Sequence, residues 1–467
     1  MESNFLIPVN SGWADMLITN AQLITWESNN QILEDQAVLI ENDHIREIDT
    51  TQNLLAKYPS EQKLDARGQY VLPGNICAHT HFYGAYARGM AIPGPAPKDF
   101  PEILQKLWWP LDRSLDAESI QYSVLPCLVD AIKHGTTTLF DHHASPSSID
   151  GSLDIIANEV EKAGLRAVLC YEVTDRDGDS KMKAGIQENV RFMKKMKSPL
   201  LAGTFGLHAS LTLSDSSLDL CRQALSEVEG SNDFGFHIHT AEHEADEYDS
   251  LKKTGLRVID RLQQHGILGP KTITAHGVHF DAREMQILAE TGTWLSHQPR
   301  SNMNNGVGVA PVESMLRAGI KVCLGNDGFS NAMWEEWKTA YLLHKAHHRD
   351  PRRMGGFDVV QMAIYNNAAL ANVFFSSATI GQLIPGAFAD IIFVEYHPNT
   401  PLTAGNLPWH IIFGFQQSMV TTTIVAGKVL MKDRELLTLD EKEIGAKARE
   451  VAPKVWDRYQ KEVAKVS

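Results

Sequence analysis

The chain has 467 residues, enough for one large domain and a smaller one. Its 43% hydrophobic and 21% charged content are those of an ordinary globular protein, and a net charge of -14 argues against nucleic acid or an anionic membrane as partner. No apolar run is long enough to span a bilayer, and no basic-then-apolar leader opens the chain. The five scattered cysteines form neither a disulfide framework nor a zinc knuckle, so a reducing, cytoplasmic setting is the simplest expectation.

The first 70 residues read as β structure. Short runs at 16–18 and 22–24 precede one at 37–40, and the turn Glu41-Asn42-Asp43 leads into an alternating stretch at 45–48. From about residue 73, apolar runs alternate with helical patterns. Eight strand candidates fall at 75–81, 136–141, 166–173, 201–209, 235–240, 271–278, 293–297 and 320–325. Helix punctuation stands between them. Asp281 and Glu284 are spaced as a capping box that Gly292 closes, and Gly135, Gly164, Gly230 and Gly266 each follow a helical pattern. Pro126 is expected to kink the helix at 116–133. Eight strand-helix units predict an α/β fold, a (β/α)8 TIM-like barrel. After a helix at 358–373, β character returns with a turn at 381–386 and runs at 389–394, 422–425 and 429–431. The simplest arrangement is a small composite β-sandwich domain from residues 1–72 and 376–467, with a C-terminal helical tail, and the barrel at 73–375 between them.

Four short stretches carry the chemistry: His79-Thr80-His81, His239-Thr240-Ala241-Glu242, His276-Gly277-Val278-His279 and Asn326-Asp327-Gly328. Residues i and i+2 of a strand point the same way, so His79 and His81 can both face the barrel axis. Alone this means little. With 19 histidines in 467 residues, about one such pair arises by chance, and His237 and His239 form a second. The other parts change the odds. His239 ends the fifth strand, His276 the sixth and Asp327 the eighth, and a closed parallel barrel brings those ends to one rim. Three imidazoles and a carboxylate suit zinc or ferrous iron with a position left for water. Such a metal lowers the pKa of bound water to about 7. The pattern describes a metal-dependent hydrolase.

At this point the sequence resembles the amidohydrolase superfamily, and within it the single-metal, ATZ/TRZ-like deaminase branch. That branch holds guanine, oxoguanine, pterin and thioadenosine/adenosylhomocysteine deaminases beside triazine hydrolases. The segment Gly381-x-Leu383-x-Pro385-Gly386-x-x-Ala389-Asp390 resembles the one that follows the barrel there. The nearest resemblance is to SsnA-type aminohydrolases. It rests on His81-Phe82-Tyr83, Leu107-Trp108-Trp109-Pro110-Leu111-Asp112-Arg113, Asp141-His142-His143-Ala144-Ser145-Pro146, Thr174-Asp175-Arg176 and Arg300-Ser301-Asn302-Met303-Asn304-Asn305. The resemblance implies that His79, His81, His239 and Asp327 hold one divalent metal ion, Zn2+ before Fe2+. It implies that Glu242 donates a proton to a ring nitrogen and that His276 polarises the attacking water. Asp327 would also carry the water proton to the leaving ammonia. It further implies a small heterocyclic substrate and a homodimer. The two-metal relatives place a lysine on the fourth strand, and 201–210 contains none. Arg300, Asn326 and Ser210 depart from residues common at their positions in the family.

Weaker signals concern the substrate. Trp108 and Trp109 can wall a flat ring, or simply pack. Arg88, Arg176 and Arg300 flank strand ends and can anchor an oxo group or carboxylate, or form ordinary ion pairs. His208 and Asn302 are further candidates. The acidic run 242–249 reads as one catalytic residue followed by a solvated helix start. The leading expectation is release of ammonia from a purine- or pterin-like ring. Loss of chloride or an alkylamine from a triazine-like ring is the chemical alternative, and a non-catalytic barrel scaffold is the third.

Overall fold

The structure is a computed structural model that describes residues 15–228 and 234–465, so Gly230 and the first 14 residues lie outside it. The N-terminal segment forms β1 (Met16–Ile24), β2 (Ile32–Glu41), β3 (His44–Thr50), β4 (Gln62–Asp65) and β5 (Tyr70–Pro73). The runs at 16–18 and 22–24 merge into one strand. Its register against β2 shifts between Ile18 and Leu23, around Asn20 at φ 55°.

The barrel strands are β6 (Asn75–Thr80), β7 (Thr136–His143), β8 (Arg166–Tyr171), β9 (Leu201–Gly203), β10 (Phe205–Ala209), β11 (Phe236–Thr240), β12 (Ile273–His276), β13 (Trp294–His297) and β14 (Val322–Leu324). All neighbouring pairs are parallel, in two sheets, β6-β7-β8-β9 and β10-β11-β12-β13-β14. The stretch 201–209 therefore breaks at Thr204 instead of forming one strand. Thr204 N donates to Leu169 O, while its Oγ1 donates across to Gly235 O. Gly206 permits the break, because a Cβ there would meet Tyr171 O at 2.3 Å. Isolated bridges Val173–Leu207 and Thr80–Asp327 close the two seams. Asn326 N and Asp327 N both donate to His79 O at the second one.

The C-terminal strands are β15 (Ile391–Val394), β16 (Val420–Val425), β17 (Lys428–Lys432) and β18 (Glu435–Leu436). They continue the N-terminal sheet in the order β18-β17-β16-β15-β5-β1-β2-β3, with β4 beside β1, and β15 lies antiparallel to β5. The sheet packs its own core of Ile18, Leu23, Val38, Val71, Ile391 and Phe393. A buried ion pair joins it to the barrel. Arg166 Nε donates to Asp390 at 2.6 Å, and the guanidinium lies 4.0 Å from the centre of the Phe388 ring.

The capping box of Asp281 and Glu284 forms, and Gly164 and Gly292 cap helices at φ 85° and 68°. The helix Ala117–Lys133 continues on both sides of Pro126. The C-terminal helix Glu441–Ala464 packs against the barrel loops. Trp456 Nε1 donates to Tyr86 O, Arg458 Nε to Ser114 O and Tyr459 Oη to Lys106 O. Among the described residues no helix is long and apolar enough to cross a membrane, and all five cysteines are free.

Candidate active site

The ends of three strands, β6, β11 and β12, deliver His79 and His81, His239 and His276 to one rim, and the turn after β14 delivers Asp327. The ligand atoms of His79, His239, His276 and Asp327 lie within 4.8 Å of one another. Asp327 Oδ1 is 3.0 Å from His81 Nε2 and 3.4 Å from His79 Nε2, and the Nε2 atoms of His81 and His239 are 3.1 Å apart. Two of these residues are held in a left-handed backbone conformation, His276 at φ 74° and Asp327 at φ 57°. Such positions cost about 1–3 kcal/mol each and persist only where the surroundings impose them. Here His276 N donates to Gln298 Oε1 and Asp327 N to His79 O.

Hydrogen bonds behind the rings aim the Nε2 atoms inward. His81 Nδ1 donates to His142 O at 2.5 Å and His239 Nδ1 to His208 O at 2.7 Å. His276 Nδ1 donates to Asn302 Oδ1 at 2.8 Å. His79 Nδ1 lies 2.9 Å from His237 Nε2. The three bonds to oxygen acceptors commit the Nδ1 protons of His81, His239 and His276 and turn their Nε2 atoms toward the centre. The buried Nε2 atoms of His79 and His276 have no hydrogen-bond partner.

The electrostatics fit a cation. Burial opposes the charge on Asp327, but the His79 and His81 rings beside it outweigh that and hold the carboxyl well below the usual carboxylate range. Burial also disfavours a charged His81, yet the Asp327 carboxylate lifts its ring to about 9. Burial drives His79 and His239 the other way, well below the ordinary imidazole value. The cluster thus sets the neutral imidazoles of His79 and His239 beside a carboxylate that attracts positive charge, which on His81 is a proton in the metal-free protein and which a divalent metal can replace.

Glu242 stands on the far side of His276, with its Oε2 3.4 Å from His276 Nε2. Burial pushes its carboxyl up to about 7, while Asp327 is held ionised. Two carboxylates whose environments separate their pKa values can divide acid and base roles. A hydrogen-bond chain joins them. Ser301 Oγ donates to Asp327 Oδ2 at 2.5 Å, Asn305 Nδ2 donates to Ser301 Oγ at 3.3 Å, and the same Nδ2 donates to Glu242 Oε1 at 3.2 Å.

A cavity opens above these groups. Tyr83, Phe100, Leu104, Trp108 and Trp109 form an apolar wall, and Glu172, Glu242, Asp246, Asp249 and Asp327 line it without any lysine or arginine. Trp109 and His208 line this cavity, and Arg88, Arg176, Arg300 and Asn302 do not. Arg176 lies behind the wall, bonded to Asp112 at 2.9 Å and 5.0 Å from the Trp109 ring centre. Arg300 turns away to Glu335, Glu336 and Ser330. Asn302 is fully buried behind His276. The acidic run is not simply a solvated helix start. Asp246 and Glu247 are buried, with Asp246 accepting from Ala241 N and Leu211 N, and Glu247 from Val258 N.

Sequence reasoning missed His237, Ser301, Asn305 and Glu172. The second His-x-His pair contained a signal for His237. Ser301 and Asn305 are one helical turn apart in the helix Pro299–Asn305, spaced to work together. Glu172 gave no signal. It follows β8, and only folding brings its Oε1 to 3.4 Å from both His81 and His142.

This barrel, its rim of histidines and its terminal sheet define a metal-dependent hydrolase architecture. The model of the Amidohydrolase family matches residues 70–430, and the chain belongs to that family. It is 31% identical over 450 residues to a 5-methylthioadenosine/S-adenosylhomocysteine deaminase of Syntrophomonas wolfei, covering 94% of this chain and 99% of the relative. It is 31% identical over 446 residues to a 5'-deoxyadenosine deaminase of Methanosarcina mazei, covering 94% and 98%. Among solved structures, an adenosine deaminase from Xanthomonas campestris with bound zinc superposes with a TM-score of 0.82 at 23% identity, covering 95% and 98%. The zinc complex of atrazine chlorohydrolase from Arthrobacter aurescens gives 0.78 at 20% identity, covering 94% and 100%.

Proposed function

We propose that this protein is a metal-dependent hydrolytic deaminase that releases ammonia from an amino-substituted nitrogen heterocycle, a purine before a pterin. The observation that carries the reading is the convergence of the His/Asp cluster, His276 and a carboxyl held near neutrality on one aromatic-walled cavity. We assign His79, His81, His239 and Asp327 as ligands of one divalent ion, Zn2+ first and Fe2+ second. When bound, such an ion makes water nucleophilic at neutral pH. His276 orients and polarises that water through Nε2. Asp327 accepts its proton. Glu242 donates a proton to the ring nitrogen, so negative charge does not accumulate there. Water adds to the carbon, the C–N bond breaks, ammonia leaves with the proton Asp327 carried, and the ring keeps the oxygen as its hydroxyl proton returns to Glu242.

Trp109 and His208 contact the substrate in this reading, while Arg176 and Asn302 act from behind the wall and Arg300 braces the helix that carries Ser301 and Asn305. A cavity lined by several carboxylates and, among the described residues, by no lysine or arginine favours a neutral nucleoside over a phosphorylated one. The names of the adenosine-type relatives point the same way. Residues 73–375 would carry the chemistry, with 1–72 and 376–467 as the composite β-domain. A cytoplasmic homodimer completes the proposal. Exposed Phe357, Trp409 and Phe413, clustered on adjacent helices, support self-association.

The test is ammonia release by zinc-loaded protein from adenosine, 5'-deoxyadenosine, 5-methylthioadenosine, AMP, aminopterins and aminotriazines, with Asp327→Asn as control. Release from the neutral nucleosides and not from AMP is expected. Chloride or alkylamine loss from triazines without ammonia release from any purine would replace the proposal with the triazine reading.

A further inference from the structure

A second group of ligating side chains meets where two helices outside the barrel strands pack together. Glu313, His344 and His348 present ligand atoms that all lie within 4.8 Å of one another. His344 and His348 are one turn apart on the helix Met333–His348, so both side chains rise from the same face. Glu313 comes from the first turn of the helix Val312–Arg317. His344 is 1% exposed, and its Nε2 has no hydrogen-bond partner. His348 is exposed and Glu313 half-buried, so an ion can enter from solvent.

Glu313 already has partners. Its Oε1 accepts from Met354 N at 3.1 Å, and its Oε2 lies 3.5 Å from Arg353 Nη1. Each carboxylate oxygen has a second lone pair, and the long, partly exposed Arg353 contact is the weak kind that an ion displaces.

We propose that Glu313, His344 and His348 form a peripheral transition-metal site, with water completing the coordination. Two imidazoles and one carboxylate favour Zn2+, Ni2+ or Cu2+ over Mg2+ or Ca2+. The ion would fasten two helices that follow successive barrel strands, β13 and β14. The helix Met333–His348 also carries Glu336, whose Oε1 accepts from Arg300 Nε at 2.5 Å. Arg300 in turn opens the helix that holds Ser301, Asn302 and Asn305 behind the active site. The site is a structural clip on a brace of the rim and takes no part in the chemistry.

The test is zinc stoichiometry and calorimetric titration of chelator-stripped, full-length protein. The variants are His348→Gln, Glu313→Gln and, for the rim, His239→Ala. Wild type should bind two Zn2+ per chain. His348→Gln and Glu313→Gln should each lose one equivalent, and His239→Ala should lose the other while keeping the one that depends on His348. A millimolar excess of Mg2+ should displace neither. Because His348 is exposed, its substitution should leave the far-UV circular dichroism unchanged. Equal zinc binding by wild type, His348→Gln and Glu313→Gln would overturn the proposal, whatever the rim variant does.

Discussion

The two ends of the same barrel strands are built on opposite principles. At the end away from the rim, Ile76, Phe140, Val168, Ile273, Trp294 and Cys323 form an apolar plug against Ala368, Leu370 and Ala371. Asn75 Nδ2 and Thr138 Oγ1 are buried there without partners, but the strand ends are tied together by Asn367. Asn367 donates to Ile76 O and Leu324 O and accepts from Leu324 N. At the rim, the buried Nε2 atoms of His79 and His276 and the Oε1 of Glu172 lack partners. The backbone there is strained at His276 and Asp327. Leaving a buried polar atom unpaired costs about 1–3 kcal/mol. The comparison teaches that the plug carries stability and the rim spends part of it to keep ligand atoms free.

Five outcomes would break or sharpen that contrast. The largest is expected at the ligands. His79→Ala or Asp327→Asn should abolish metal retention and turnover while leaving the melting temperature of the stripped protein equal or higher. A stripped rim variant that is markedly less stable than stripped wild type would contradict the division of labour.

Next, Glu242→Gln should keep the metal and lower kcat by about 10²–10⁴, the range for loss of a general acid. Metal analysis and steady-state kinetics on one preparation decide this. Unchanged kcat would remove Glu242 from proton transfer.

At the opposite end, Trp294→Ala should destabilise by about 3–5 kcal/mol, read by urea denaturation, with turnover per folded molecule retained. At the rim, Asn302→Ala should do the reverse. It should lower metal-supported activity by about 10–100-fold, as the loss of a partner behind a functional imidazole does. Asn302→Asp, which retains an acceptor for His276 Nδ1, should recover part of it.

The smallest effect is a pH slope. Glu247 sits beside Glu284 and Arg257, with its Oε1 3.2 Å from Arg257 Nη2. Burial, reinforced by the Glu284 carboxylate, lifts its carboxyl from 4.5 to about 9. The folded state therefore binds this proton more tightly than the unfolded state. Its contribution is fully present below about pH 4.5 and is lost as pH rises through about 9. Glu247→Gln should flatten the decline of stability across that window, measured by melting temperature against pH. An unchanged slope would assign the decline to other groups.

The β/α alternation, the capping box of Asp281 and the four stretches at the rim were legible in the sequence because each is local. Strand period, cap spacing and a ligand at a strand end need only neighbouring residues. The break at Thr204 was not legible, because it follows from the seam between two sheets and from the close approach of Tyr171 O to Gly206. Arg176 and Arg300 looked like substrate anchors from their positions at strand ends. Asp112, far from Arg176 in sequence, and Glu335 and Glu336, far from Arg300, claimed their guanidinium groups instead. The sequence by itself determined which side chains can bind a metal and move protons, since residue type sets that chemistry. Only the tertiary structure decided which imidazole nitrogens face inward, which acid is held near neutrality and which cations are excluded from the cavity. Those properties arise from burial and from hydrogen bonds between residues that only folding brings together.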